Sequence, residues 1–318
     1  MKKTAILAAC LGLSSPAVQA YKNRVATNAA EFLRVGAGAR ALGMAEAYSA
    51  VAEGAEAIYW NPAGLAQMRR TAIHYSRSEM LDYFHHDFAA YVQPVPSLGG
   101  AIGASLTRLS QAKLPLVTAA NENVGSFSPL SLSAGLGYAT AFTVNSDRSS
   151  PGRVLAGLAL KAIHERYYQR QATAIAADGG VLFRPPGLKL NLGLALRNLG
   201  QKIRFIEDRE NLPTEIALGV SYDKSTPVSR WMPAAELVLP YAGGSFAKIG
   251  LEHTRALGPD LAGALRIGYK TQTVSELGAL SGLTCGLGGR WRRFRADLGF
   301  QPMGQLGEVY RLTLGFFW

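Results

Sequence analysis

Cysteine is nearly absent from this 318-residue chain, which has two, Cys10 and Cys285. Charge is sparse as well. Asp, Glu, Lys and Arg together make 17% of residues, below the roughly 25% of soluble domains. Uninterrupted apolar runs of about 18 residues, which a spanning helix requires, are lacking too. These absences exclude a disulfide scaffold and a polytopic helical membrane protein. Disorder is excluded because 48% of the residues are hydrophobic. Acidic residues are outnumbered, 33 Lys+Arg against 22 Asp+Glu, for a formal charge of +11. What the chain has in excess is glycine, 35 residues, above the roughly 7% of ordinary usage.

The first twenty residues read as a secretory signal peptide (1–20). Lys2 and Lys3 precede an apolar stretch from Ala5 to Leu13, and Val18-Gln19-Ala20 supplies small residues for cleavage after Ala20. A lipoprotein signal ending at Cys10 would leave too short an apolar segment after Lys3. Cleavage removes two lysines, giving 31 − 22 = +9, and leaves Cys285 as the single thiol, so no intramolecular disulfide can form.

From residue 71 onward the hydrophobic period is two. Leu188, Leu190, Leu192, Leu194 and Leu196 share one face, and Lys189, Asn191, Gly193, Ala195 and Arg197 the other. The pattern returns in Leu130 to Tyr138, Ile216 to Tyr222 and Leu261 to Lys270. Runs of about nine to eleven residues suit a tilted transmembrane strand. A secreted β-sandwich also alternates, but here the apolar face is Leu-rich and often ends in an aromatic such as Tyr138, Phe142, Tyr222 or Tyr269. The opposite face is small, polar or basic, as in a lumen. About fourteen such runs cover 71–318, predicting an all-β fold: a transmembrane antiparallel β-barrel. The last run, Tyr310, Leu312, Leu314, Phe316 and Trp318, stops on its aromatic residue. It resembles the terminal signal by which bacterial outer-membrane barrels are recognised by the barrel-assembly machinery.

Residues 21–70 do not alternate. Leu42, Met44, Tyr48 and Val51 predict a short helix over Ala39 to Ala52, and Asn61-Pro62-Ala63-Gly64 a turn. We expect this stretch to be a partly helical plug, or hatch, within the barrel. A periplasmic cap outside the lumen is the alternative.

Phe32-Leu33-Arg34-Val35-Gly36-Ala37-Gly38-Ala39-Arg40-Ala41-Leu42-Gly43-Met44, followed by Ala57-Ile58-Tyr59-Trp60-Asn61-Pro62-Ala63-Gly64-Leu65, resembles the opening of the PorV/PorQ family of outer-membrane proteins. The resemblance continues at Leu196-Arg197-Asn198-Leu199-Gly200, Leu265-Arg266-Ile267-Gly268-Tyr269 and Tyr310-Arg311-Leu312-Thr313-Leu314. It implies a fourteen-stranded barrel of the wider group similar to the fatty-acid transporter FadL, with a plug and gate at Asn61, Pro62, Ala63 and Gly64. It also implies a place in, or kinship with, type IX secretion machinery, whose partners would be secretion subunits or cargo C-terminal domains. The alternative it implies is a FadL-like channel for a lipid-like, hydrophobic or amphipathic anionic molecule. Members commonly carry two aspartates before Tyr-Trp-Asn-Pro, where this chain has Glu53-Gly54.

Other chemistry has little support. His85 and His86, with Asp87 and Asp82 nearby, invite a metal, but adjacent strand residues face opposite ways. His74-Tyr75-Ser76 offers a His and a Ser with no third group to orient them. Gly36-Ala37-Gly38 lacks the strand and third glycine of a dinucleotide loop. Cys285 reads as a buried small side chain. No cofactor, metal, enzymatic activity or nucleic-acid partner is expected; the lipid of the outer membrane is. The lumenal basic candidates are Lys189, Arg197, Arg266, Lys270 and Arg311, with Arg293 and Arg295. They either attract an anionic solute or pair with plug acids such as Glu46, Glu53 and Glu56.

Overall fold

Alternation of apolar and small residues gives each segment one face suited to lipid and one to an interior, and fourteen such segments pair edge to edge. The computed structural model describes residues 28–80, 83–144, 151–205 and 209–318. The expected signal peptide, the first residues of the 21–70 segment and Asp82 lie outside the described residues. The strands are β1 (Ala72–Met80), β2 (Phe84–Val95), β3 (Gly100–Gln111), β4 (Leu130–Val144), β5 (Gly152–Tyr167), β6 (Arg170–Arg184) and β7 (Leu190–Gly200). Then follow β8 (Glu215–Tyr222), β9 (Ser229–Pro240), β10 (Phe246–Ala256), β11 (Leu261–Lys270), β12 (Leu283–Trp291), β13 (Phe294–Pro302) and β14 (Glu308–Phe317). Each pairs antiparallel with its neighbours in the chain, and β14 returns to β1 in register from Ala72↔Phe317 to Met80↔Val309. The ring closes as a fourteen-stranded antiparallel barrel, so that each of these strands has a partner on both sides.

The pleat sorts side chains as the composition requires. On β1, Ala72, His74, Ser76 and Ser78 are buried inside while Ile73 and Tyr75 face outward. On β14, Arg311 and Thr313 face in and Tyr310, Leu312 and Leu314 face out. The register is broken between Ala177 and Gly179 of β6, where a bulge forms opposite Asn198, whose φ is 59°. Asp178, at the bulge, accepts from the Asn198 amide at 2.7 Å and pairs with Lys161 at 2.8 Å.

The two ends differ. Connections at the end holding Ala72 and Phe317 are short, as at 96–99, 257–260 and 292–293, whereas 112–129, 201–214 and 271–282 at the other end are long. Outer-membrane barrels place short turns on the periplasmic side.

Three expectations need correction. The helix expected over Ala39 to Ala52 is limited to Ala39–Gly43. Beyond it, Ala45 and Glu46 adopt positive φ (51° and 64°), and side chains of distant strands take up the local amides. Lys189 is not lumenal: the strand begins at Leu190, so Lys189 sits exposed in the preceding turn. Cys285 is exposed rather than buried, on the outward face with Leu283 and Leu287.

Candidate functional site: the lumen and the segment inside it

Residues 28–70 supply two short α-helices, Ala39–Gly43 and Ala57–Trp60, and two 3-10 turns, Glu31–Arg34 and Pro62–Gln67, and no strand. Nearly every residue from Ala37 to Leu65 is buried, against inward-facing barrel positions. Barrel glycines admit this backbone. A Cβ on Gly157 would lie 2.4 Å from the Pro62 carbonyl carbon, and one on Gly180 would lie 2.0 Å from Asn61 Oδ1.

The segment runs from end to end of the lumen. At the long-loop end the Ala29 amide donates to the Asn211 carbonyl at 3.0 Å, and that of Ala30 to Glu165 at 3.2 Å. There Phe32 and Leu33 pack with Ile163, Ala174, Ile203 and Leu212 in an apolar cluster. At the short-turn end, Arg184 donates to Gln67, and the chain then enters β1.

Asn61, Pro62, Ala63 and Gly64 form one structural unit at the start of the second 3-10 turn. Asn61 caps it: Oδ1 accepts from the Ala63 amide at 3.1 Å, and Nδ2 donates to the Ser49 carbonyl at 2.9 Å and the Val181 carbonyl at 3.2 Å. Its side chain therefore joins three parts of the molecule: the turn, the preceding loop and the barrel wall. Pro62 occupies the first position of the turn, where no amide donor is needed.

Charged pairs hold the remainder. Glu46 meets Lys270 at 3.2 Å and Arg311 at 3.4 Å. Burial alone would raise the Glu46 carboxyl, but Lys270, Lys248 and Arg311 outweigh it and hold it at about 2. Arg311 also donates to the Val35 carbonyl at 2.7 Å and to Ser78 at 2.6 Å. Arg40 grips Glu252 with two bonds of 2.7 Å and also contacts Glu53. Arg266 bridges Glu252 at 2.6 Å and Asp297 at 2.9 Å. Glu236 accepts from the amides of Tyr48 and Ser49 at 3.0 and 2.7 Å and pairs with Lys248. Arg197 pairs with Glu215 at 2.8 Å, and its guanidinium lies over one side of Trp60, whose other cationic neighbour is Lys248. Burial pushes the Glu56 carboxyl up; Tyr48 donates to it at 3.1 Å.

Of the basic candidates, then, Arg197, Arg266, Lys270 and Arg311 converge on the lumen. Their partners are only partly the acids of the N-terminal segment: Glu46 serves Lys270 and Arg311, whereas Arg197 and Arg266 use wall acids. Sequence reasoning misses Glu215, Glu236, Glu252 and Asp297, although a single acid on the small-residue face of an alternating strand is a usable sign. Arg295 joins this set through Asp297 at 2.5 Å, and Arg293 lies in the two-residue turn after β12. His86 faces inward and buried, His85 outward; among the described residues no group of three metal-ligating side chains forms. His74 and Ser76 share the inner face without contacting each other; Ser76 instead accepts from Thr313 at 3.0 Å. At the C-terminus, Tyr310, Leu312, Leu314 and Trp318 are exposed on the outer face, and Phe316 and Trp318 stack at 5.5 Å.

A polar cavity of about 330 Å³ remains in the lumen near the short-turn end. Arg40, Arg230, Arg266, Arg290 and Arg295 line it with Glu53, Glu252 and Asp297. It suits small polar or anionic groups, whereas the lumen around Phe32 is filled by packed apolar side chains.

No protein-family model matches the chain, and no curated protein does. Solved structures do. The toluene transporter TodX of P. putida superposes with a TM-score of 0.57 at 10% identity, over 89% of this chain and 99% of that one. The toluene transporter TbuX of Ralstonia pickettii gives 0.54 at 11% identity, over 88% and 97%. A FadL homologue from Pseudomonas aeruginosa gives 0.52 at 11% identity, over 88% and 98%. The first two are toluene transporters, and at such identities the likeness is one of architecture: the chain has the fold of a FadL-like barrel.

Proposed function

We propose that the protein is a bacterial outer-membrane channel for a hydrophobic or amphipathic anionic small molecule, exported with a cleavable signal peptide, with residues 28–70 as its hatch. One observation carries this reading: a single stretch that adds no strand to the barrel fills the lumen. It can shift while every inter-strand hydrogen bond stays intact. The apolar cluster around Phe32 would receive a hydrophobic chain, and the arginines of the polar cavity a carboxylate. Asn61 to Gly64 would form the gate, since one side chain there ties hatch to wall. The toluene transporters among the neighbours support the apolar class. Reconstituted in liposomes, the protein should admit labelled hydrophobic or amphipathic anions faster than empty vesicles do. If no tested solute enters and mass spectrometry of the purified protein finds no such molecule bound, the channel reading fails.

A second reading is favoured by the motif resemblance together with the number of buried ion pairs clamping the hatch. In it the protein is a PorV/PorQ-like component of type IX secretion, working through partner subunits or cargo C-terminal domains at the long-loop end. Deleting the gene and measuring surface proteins tests it; an unchanged set of surface cargo refutes it.

A further inference from the structure

Around most of the circumference the outer face is apolar up to the long-loop end. Leu312 on β14, Leu298 on β13, Leu283 on β12, Ile267 on β11 and Leu239 on β9 are exposed there. One sector is different. Arg77 and Glu79 on β1, His85 and Asp87 on β2, Arg108 on β3 and Arg166 on β5 occupy outward positions near the same end. Arg77 pairs across the sheet with Asp87, and Asp87 with Arg108. The two guanidinium-bearing positions are thus two strands, about 10 Å, apart. Arg166 lies two strands from Ser110, the next outward residue after Arg108, so Arg108 and Arg166 are separated by about 12 Å.

The acids of the sector are already engaged. Arg77 meets Asp87 at 3.4 Å and Glu79 at 3.5 Å, and Tyr75 donates to Asp87 at 2.7 Å. Arg108 and Arg166 form no ion pair among the described residues and are exposed. A guanidinium facing hydrocarbon is costly at the bilayer midplane and tolerated near the headgroups, which sets the height of this sector. Height alone does not call for it, since β9, β11, β12, β13 and β14 carry leucine or isoleucine near the same end. What distinguishes the sector is uncompensated positive charge aimed at lipid rather than at the lumen or a loop. Arginine holds phosphate bidentately, and two arginines about 12 Å apart can serve two phosphates of one headgroup.

We propose that the outer face from β1 to β5 forms a binding site for the phosphorylated headgroup of a glycolipid in the leaflet at the long-loop end, with Leu130 and Leu132 of β4 lying between Arg108 and Arg166. Arg108 and Arg166 hold the phosphates, and Arg77 is positioned by Asp87 and Glu79 at the edge of the site. The site is separate from the lumen and stands whether or not the barrel conducts.

The test uses the full-length protein in detergent micelles, titrated with a diphosphorylated lipid A and, in parallel, with its dephosphorylated counterpart. Bound lipid is counted by native mass spectrometry. The phosphorylated form should bind about tenfold more tightly, and R108A/R166A should lose about that factor. R255A, an exposed arginine at the short-turn end, should bind as the native protein does. Should the double variant fail to assemble, R108Q and R166Q are read singly, each losing about threefold. Equal binding of the two lipids, or full retention by the Arg108 and Arg166 variants, overturns the proposal.

Discussion

Replacing Glu46 by glutamine should loosen the N-terminal segment from the lumen wall without unfolding the barrel. The carboxylate lies 3.2 Å from Lys270 and 3.4 Å from Arg311, and these side chains are only 6%, 8% and 2% exposed respectively. At an effective dielectric near 20, each contact contributes about 5 kcal/mol before desolvation is set against it. Taking away one member of a buried ion pair costs about 3–5 kcal/mol, because the remaining charges are left unpaired. At about 1.4 kcal/mol per factor of ten, the displaced state gains two to three and a half decades in population. None of the strand ladder is touched, so the folded barrel should keep its heat resistance on gels. Single-channel recording in planar bilayers should show openings more often than in the native protein, and proteolysis should cut between residues 36 and 60. Adding K270M should restore part of the closure by removing one stranded cation. An E46Q protein as quiet and as protease-resistant as the native one would refute the assignment of these pairs as the fastening.

Asn61→Ala should weaken the same closure by about 1–2 kcal/mol, through loss of the cap and of the wall hydrogen bonds; channel open probability measures it. Gly180→Ala places a methyl about where Asn61 Oδ1 now sits, so it should open the channel at least as far as Asn61→Ala. The two changes together should be milder than their sum, and strict additivity would contradict the contact between these two residues. Acid should act through Glu46: its folded value of about 2 lies below the ordinary 4.5, so its contribution is complete above about 4.5 and lost as pH falls towards 2. Conductance should accordingly stay at its closed level from pH 7 to 5 and rise only in stronger acid. Removing Trp318, whose amide donates to the Thr71 carbonyl at 3.0 Å, should lower the fraction of heat-resistant barrel assembled in cells, judged on unboiled gels.

The strands are legible because one physical constraint, lipid outside and a crowded interior, acts on every residue of each. Leu188 to Arg197 shows how far this goes. The alternation identifies the strand and places Arg197 inside, but not where the turn ends, and that offset misplaces Lys189. The interior segment is less legible because its conformation is imposed from a distance. Apolar spacing over Ala39 to Ala52 suggests one helix, yet Thr284 and Glu236, from strands more than 180 residues later, take the amides of Ala45, Tyr48 and Ser49. The motif at Asn61 is recognisable, but its three-way hydrogen bonding is not, since the acceptors at Ser49 and Val181 are main-chain carbonyls. Cys285 shares the period of Leu283 and Leu287, and that period alone points it to the outer face.

The path of the N-terminal segment also constrains the order of assembly. Asn28 lies at one end of the barrel and β1 begins at the other, while the ring is completed where β1 meets β14. A chain already laid across the growing sheet can be enclosed when that seam forms. One still outside would have to be threaded afterwards through a finished cylinder packed to backbone contact at Gly157 and Gly193. The seam between first and last strands is therefore the clock of biogenesis: the inner segment must be in place before it shuts.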